Sequence, residues 1–185
     1  MTDWLATMQQ TYEYYIVDPG TWKDVKRLDN VVKSSINRDS SKETLGSATI
    51  DITGTMEECY IRIYLITIQN GIREKYPLGT FLVQTPSYKF DGKVQTASLD
   101  AYTPLLELKE SPPPLGYSLL EGDNIMERAY LIIREKARAP VIRCTKDDTL
   151  NSDFVANVND TWITFLTDLI ANAKWLLDFT TGKGW

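Results

Sequence analysis

The 185-residue sequence has no histidine and only two cysteines. Without histidine there is no Ser–His or Cys–His pair to activate a nucleophile, and acid–base chemistry would depend on carboxylates, lysine or tyrosine. Cys59 and Cys144 lie far apart and form no CxxC motif, which argues against a zinc site and for a reduced compartment. We therefore predict a non-enzymatic protein with no metal and no cofactor.

Long apolar runs and clusters of basic residues are also missing. No apolar run approaches the roughly 20 residues that cross a bilayer, and Met1–Trp4 lacks the basic region and apolar core of a signal peptide. The net charge is −5, with acidic and basic residues mixed along the chain, whereas nucleic-acid-binding faces need clustered Lys and Arg. These absences predict a cytoplasmic origin, no membrane insertion and no specific DNA binding.

Two Asx-Gly dipeptides, Asn70-Gly71 and Asp91-Gly92, mark the most informative stretch. Both central residues of a type I′ hairpin turn need positive φ, which glycine, asparagine and aspartate tolerate best. The run Cys59–Ile68 is rich in β-branched and aromatic residues, which predicts a strand before the first turn. Its return strand is predicted to be short, Ile72–Tyr76, because a proline and a glycine follow soon after.

The second predicted hairpin pairs Thr80–Phe90 with Lys93–Tyr102. Pro86 cannot donate a ladder hydrogen bond, so its arm must be an edge there or carry a bulge. Earlier runs also predict strands: Tyr12–Val17, Asn30–Asp39 and the alternating Ser47–Thr53, with Ala48, Ile50 and Ile52 on one face. Residues 3–10 are interpreted as an arm, and residues 22–28 are ambiguous. Short antiparallel strands in this number predict an antiparallel β-barrel domain over residues 1–108.

The chain changes character after Tyr102. A short helical turn is predicted at residues 103–108, and Pro112–Pro114 predict an extended connector and a domain boundary. Residues 109–185 are predicted to form a smaller α/β domain, so the fold class is β-rich α+β. Its predicted elements are two helices and two or three short strands: a helix capped by Asp123 or Asn124, a helix capped by Asp160, and strands Val141–Cys144 and Trp175–Phe179.

The last residues have the pattern of half a hairpin. The predicted strand Trp175–Phe179 is followed by a turn, Thr180–Gly184, and one further aromatic residue, Trp185. We expect the second domain to be incomplete at its C-terminus, either because the polypeptide continues or because a partner strand completes the edge.

Candidate chemistry is sparse. Carboxylates on or near strands could supply the two opposed acids of a glycoside hydrolase, but no spacing singles out a pair among Asp51, Glu57, Glu58, Asp91 and Asp100. Aromatic side chains that could stack on sugars or bases are more often core or interface residues: Tyr12, Tyr14, Tyr15 and Trp22. A carbohydrate-binding β-module and a cell-wall hydrolase fragment stay open as alternatives.

The order and spacing of several segments resembles the N-terminal region of phage tail hub proteins, the tail-associated or baseplate-hub proteins of phages and prophages. The segments that carry the resemblance are Tyr14–Trp22, Val32–Asp39, Leu45–Asp51, Leu78–Val83, Ser98–Tyr102 with Leu105-Leu106, and Trp162–Phe179.

The resemblance implies a structural protein of the virion tail tip, assembled in the bacterial host cytoplasm. It implies a homotrimer in the assembled tail, with a β-barrel domain that continues the tail tube, and a monomer for an isolated fragment. The implied partners are the distal tail protein, the tail tube and the tape measure, while genomic DNA passes without specific binding. No catalytic residue is carried over, because the matched segments hold no catalytic signature.

Overall fold

The computed structural model describes residues 2–178, which divide into two compact units. The first unit comprises residues 2–37 and 47–103, and the second comprises residues 38–46 and 104–178. Within the described residues the first unit is built on one seven-stranded sheet. Its strands are β1 (Gln9–Val17), β2 (Asp24–Leu28), β3 (Val31–Arg38), β4 (Gly46–Thr53), β5 (Tyr60–Gln69), β6 (Ile72–Phe90) and β7 (Gln95–Tyr102).

The strand order is β2-β1-β5-β6-β7-β4-β3, so β2 and β3 lie at opposite edges although only two residues separate them in the chain. The sheet must therefore curl to bring its edges to one corner. There Thr53 N donates to the carbonyl oxygen of Asn30 at 2.9 Å, and the Tyr14 and Ser34 hydroxyls lie 2.8 Å apart. No ladder among the described strands joins β2 to β3. The predicted β-rich antiparallel architecture is confirmed, whereas closure into a barrel stays a prediction.

The core of the first unit lies on one face of the curled sheet. Alternation along β4 buries Ala48, Ile50 and Ile52, as predicted. Ile50 pairs with Leu99 of β7, and both are fully buried. Each such side chain contributes roughly 1.5–3 kcal/mol. The other buried members are Leu28, Ile61, Ile63, Phe81, Val83, Ala97 and Ala101.

The predicted short return strand Ile72–Tyr76 is wrong, because β6 runs without a break for 19 residues. Ile63 of β5 lies opposite Gly79 and the next residue, Tyr64, lies opposite Pro77, so the register shifts here and β6 carries one extra residue, Leu78. A bulge of this kind absorbs an irregular residue without ending the strand. A second register shift, between Gln84 and Ser87, spans Pro86 and confirms the predicted bulge.

The two Asx-Gly turns differ. Asn70 and Gly71 have φ values of 52° and 77°, as a type I′ turn requires. Gly92 also has positive φ, but Asp91 is not among the described residues that do. Its carboxylate instead accepts from the backbone N–H groups of Lys93 and Val94 at 2.9 and 2.8 Å, which holds a longer loop between β6 and β7.

The structure also assigns strands within residues 3–10, predicted as an arm, and within the ambiguous residues 22–28. Residues 9 and 10, predicted as part of an arm, already belong to β1, and the ambiguous residues 22–28 contain β2. Arg27 pairs with Tyr15 of β1, so this charged strand is held by its backbone partner.

The second unit holds three helices and a two-stranded sheet among its described residues. The elements are α1 (Leu106–Glu110), β8 (Ser118–Leu119), α2 (Ile125–Lys136), β9 (Phe154–Val155) and α3 (Trp162–Ala171). Leu108, Phe165, Leu166 and Leu169 are fully buried in its core. Leu45, from the β3–β4 connection, packs against the same core. None of the helices within residues 2–178 is long and apolar enough to cross a membrane.

The helix caps follow local chemistry. Asn124 Oδ1 accepts from Glu127 N at 2.8 Å, which confirms one of the two predicted caps of α2. The predicted cap of α3 is wrong by one residue, because Thr161 and Thr164 form a reciprocal capping box. Asp160 instead accepts from the backbone N–H of Asn157 at 2.8 Å.

Two predicted strands of the second unit are wrong. Residues 141–144 form no strand, because β8 pairs with β9 and the Arg143 side chain is engaged by Glu127 of α2 at 2.6 Å. Residues 175–178 form none either. Lys174 has a φ of 59°, and Trp175 N donates to Ile170 O at 3.3 Å, which ties this segment to the end of α3. The rest of the predicted strand, the turn Thr180–Gly184 and Trp185 lie outside the described residues.

Candidate functional site

A buried arginine organises the sheet face opposite the core, here called the outer face. Arg62 on β5 is 1% exposed and lies between its register partners Tyr15 of β1 and Thr80 of β6. Its guanidinium donates to Thr80 Oγ1 at 2.8 Å, to Asp24 Oδ1 at 2.8 Å and to the Trp22 carbonyl at 3.2 Å. A buried charge is tolerated only when it is paired and hydrogen-bonded in this way.

Asp24 joins this arginine to a tyrosine. The Tyr64 hydroxyl donates to Asp24 Oδ2 at 2.7 Å, and burial together with Asp24 raises the pKa of Tyr64 to about 12. Trp22, with a φ of 55°, packs edge-on against Tyr60 with ring centroids 5.0 Å apart. The β1–β2 turn is thereby fixed onto the outer face, and we call Trp22, Asp24, Arg62, Tyr64 and Thr80 the Arg62 network.

A second group of charges lies beside it on the same face. The Glu13 side chain is 10% exposed and contacts three cations: Arg27 at 3.0 Å, Arg73 at 2.9 Å and Lys75 at 3.7 Å. Burial raises the pKa of Glu13, but hydrogen bonds from Arg73 and Tyr15 and the charges of Arg73 and Arg27 outweigh burial, so its pKa lies below the ordinary value. We call Glu13, Arg27, Arg73 and Lys75 the Glu13 cluster.

The cluster includes an aromatic clamp. The Lys75 ammonium lies 4.0 Å from the Tyr15 ring centroid and 3.8 Å from that of Tyr64. These two rings meet edge-to-face at 5.7 Å. Cation–π contacts with two rings hold the lysine in one place.

The N-terminal arm is tied to the end of the β5–β6 hairpin. Thr2 Oγ1 lies 2.9 Å from Thr67 Oγ1 and also contacts Glu74. Hydrogen bonds from Thr2 and Tyr76 lower the pKa of Glu74 to about 2. The Trp4 ring packs on Tyr76 at 5.2 Å but stays half exposed.

The carboxylates predicted as possible catalytic acids lie in several places. Asp51 on β4 accepts from Ser98 Oγ at 2.7 Å, and Asp100 lies on β7 opposite Thr49. Asp91 holds the β6–β7 loop, and its backbone hydrogen bonds from Val94 and Lys93 lower its pKa.

The other two predicted acids, Glu57 and Glu58, are exposed and line a cavity of about 700 Å³ together with Lys26 and Arg27. A cavity of about 710 Å³ in the second unit is lined by α3, the β3–β4 connection and residues 176–178. Among residues 2–178, no three His, Cys, Asp or Glu side chains are placed to hold a metal ion.

The predicted aromatic residues do not form an exposed row. Tyr12 is 51% exposed, whereas Tyr14 packs against the core and Tyr15 lies on the outer face. Trp22 is half-buried in the Arg62 network. Side chains on opposite sheet faces cannot form one flat stacking platform.

Sequence reasoning missed Arg62 and Glu13. One signal was present, since Arg62 is a charged residue inside the apolar strand run that begins at Cys59. A charge in such a position is rarely buried unless it is paired. Its partner Asp24 could not be found from spacing, because strand pairing brings the two together across 38 residues.

Comparison with known proteins gives matches among solved structures, whereas no family model and no curated protein matches the chain. The tail protein from Neisseria meningitidis MC58 has a TM-score of 0.53 at 13% identity, over 88% of this chain and 45% of that one. The 43 kDa tail protein of prophage MuSo2 from Shewanella oneidensis has a TM-score of 0.59 at 11% identity, over 91% and 50%. The Francisella PdpA–VgrG complex, in its lidded structure, gives 0.55 at 9% identity, over 91% and 26%.

These likenesses define the class of fold. The chain has a phage tail hub-like fold, which confirms the resemblance found in the sequence. The chain spans 45%, 50% and 26% of the length of these three matched chains. What the chain shares with them at these identities is the fold.

Proposed function

We propose that the chain is a structural component of a phage or prophage tail tip, a baseplate hub protein that closes the distal end of the tail tube. The observation that carries this proposal is the hub-like fold, which covers 88% and 91% of the chain in two proteins described as tail proteins. So large a share must include most of both compact units. Function on a shared fold must be argued from sites as well, and the contacts of the two outer-face networks join β1, β2, β5 and β6, which is a structural role.

The proposed assembly is a homotrimer in which residues 1–108 act as a tube-like β-barrel and residues 109–185 as an attached α+β domain. Two features of the first unit support it. Both sheet edges, β2 and β3, have no strand partner on their outer side among the described residues, and β3 keeps Val32 68% exposed. An open edge of this kind is a natural site for pairing with another chain.

The proposed partners are the distal tail protein, the tail tube and the tape measure. Genomic DNA would pass the ring without specific binding, because a net charge of −5 gives no general attraction for phosphates. The role is mechanical, in the virion tail after assembly in the host cytoplasm, and no catalytic step is assigned.

Immunogold electron microscopy of purified tails, from the phage or prophage that encodes the chain, tests the proposal. An antibody against the chain is expected to label one site per particle, at the distal tip. Label spread along the whole tube, or purified tails without label, would contradict it. Native mass spectrometry of the tip released from labelled particles is expected to give three copies.

A further inference from the structure

We propose that the Glu13 cluster on the outer face is a docking site for an acidic segment of a partner protein. This inference does not depend on a role in a tail. It rests on an excess of positive charge held in one place on an otherwise acidic chain, in which 25 acidic residues face 20 basic ones.

The charge in the cluster is unbalanced. Arg27 Nη1 and Arg73 Nη2 contact the same oxygen of Glu13, at 3.0 and 2.9 Å, so the two nitrogens lie no more than about 6 Å apart, where like charges repel. Lys75 adds a third cation at 3.7 Å from the other oxygen. Asp29 pairs with Arg27 at 2.9 Å but is 78% exposed. Three cations face the two carboxylates of Glu13 and Asp29, so one positive charge stays unbalanced and a further anion would relieve the repulsion.

The cations are available and held in place. Arg27 and Arg73 keep 52% and 51% of their side chains exposed. A guanidinium has five N–H donors, so a contact with Glu13 leaves donors for another carboxylate. Glu13 fixes the two guanidinium groups from below, and the rings of Tyr15 and Tyr64 fix Lys75. Groups that are already ordered lose less entropy when a ligand binds.

The surroundings fit a polypeptide better than a nucleic acid. Three cations at one spot can meet one or two carboxylates, whereas a nucleic acid backbone needs cations spread along its length. Ile68 is the register partner of Arg73 on the same face and is 36% exposed. Exposed apolar side chains next to charges offer contacts that a peptide can use.

A binding measurement on the intact chain tests the site. The probe is fluorescein-labelled hexaglutamate, with anisotropy recorded at low salt because the contacts are charged. Arg73→Gln and Lys75→Gln are each expected to weaken binding about fivefold, the loss typical of one charged contact. Lys93→Gln, in the exposed β6–β7 loop, removes the same charge elsewhere and is expected to leave binding unchanged.

The result that would overturn the proposal is an affinity for hexaglutamate that Arg73→Gln does not change, or that Lys93→Gln lowers equally. Tighter binding of a single-stranded oligonucleotide or of inorganic phosphate than of hexaglutamate would overturn it as well. Arg73 is half exposed, so its variant is expected to fold, and circular dichroism checks this. The readout needs no assembled tail, so its failure would leave the tail-tip proposal standing.

Discussion

Replacing Arg62 with methionine is expected to destabilise the first unit strongly. Methionine keeps much of the apolar stem but removes the guanidinium, and with it the bonds to Thr80, Asp24 and the Trp22 carbonyl. Asp24, whose side chain is 22% exposed, would lose its charge partner. Breaking a buried pair on one side costs 3–5 kcal/mol, and the partial exposure of Asp24 places the expected loss at the lower limit, about 3 kcal/mol.

The measurement is amide hydrogen exchange of β5 and β6, followed by mass spectrometry. Exchange resolves the opening of one part of a chain, whereas a single unfolding curve for a protein with two units is not two-state. A loss of about 3 kcal/mol raises the opening equilibrium roughly a hundredfold, since each 1.4 kcal/mol is a factor of ten.

A double-mutant cycle supplies the control. Asp24→Asn removes the carboxylate charge while an oxygen stays available to the Tyr64 hydroxyl, which now donates to Asp24 at 2.7 Å. The double variant is expected to lose clearly less than the sum of the two single losses, because no buried charge is then left unpaired. The reasoning would be refuted if the amides of β5 and β6 in Arg62→Met were protected to within about 0.5 kcal/mol of the parent. It would also be refuted if the loss in the double variant equalled the sum of the two single losses.

Three further predictions concern other contacts. Gly79→Ala is expected to cost about 1–3 kcal/mol by overpacking, because the new Cβ would lie 2.7 Å from the buried Phe81 ring; hydrogen-exchange protection of β6 equal to that of the parent would show that the ring moves aside. Thr161→Ala is expected to cost about 1 kcal/mol through loss of the α3 cap, while Asp160→Ala costs clearly less, and hydrogen exchange of α3 that ranks the two in the opposite order would contradict the capping assignment. Glu74 has its pKa lowered from 4.5 to about 2 in the folded chain, so the stability that its ionised carboxylate contributes is complete above about pH 4.5 and is lost as the pH falls toward 2. Glu74→Gln is therefore expected to make the stability of the folded chain depend less on pH over this range. The same pH dependence in the variant as in the parent would exclude the Thr2 and Tyr76 contacts as its cause.

Local rules predicted much of the first unit. The Asn70-Gly71 turn needs only the φ preferences of two residues, and the buried face of β4 needs only alternation. Features that depend on pairing with a distant strand could not be predicted from local residue preferences. Pro77 and Gly79 break a strand by propensity, yet a single bulge at Leu78 keeps β6 continuous.

The second unit and the outer face were harder to predict. A run such as residues 141–144 has strand propensity, but a strand forms only where a partner edge exists, and β8 pairs with β9 instead. Choosing Asp160 over Thr161 as a cap failed because adjacent residues carry equivalent chemistry. Glu13 forms ion pairs with cations of β2 and β6, and the register of the strands, which the sequence does not reveal, determines these pairs.

Strand β6 has a mechanical consequence. Its first half, to Leu82, pairs with β5, and its second half, from the same residue, pairs with β7. Tension applied at the tip of one hairpin therefore reaches the other along a covalent backbone, with the two ladders loaded in shear on either side of Leu82. When the protein is pulled from its ends in a force experiment, we expect the edge strands β2 and β3 to detach first and β6 to detach last.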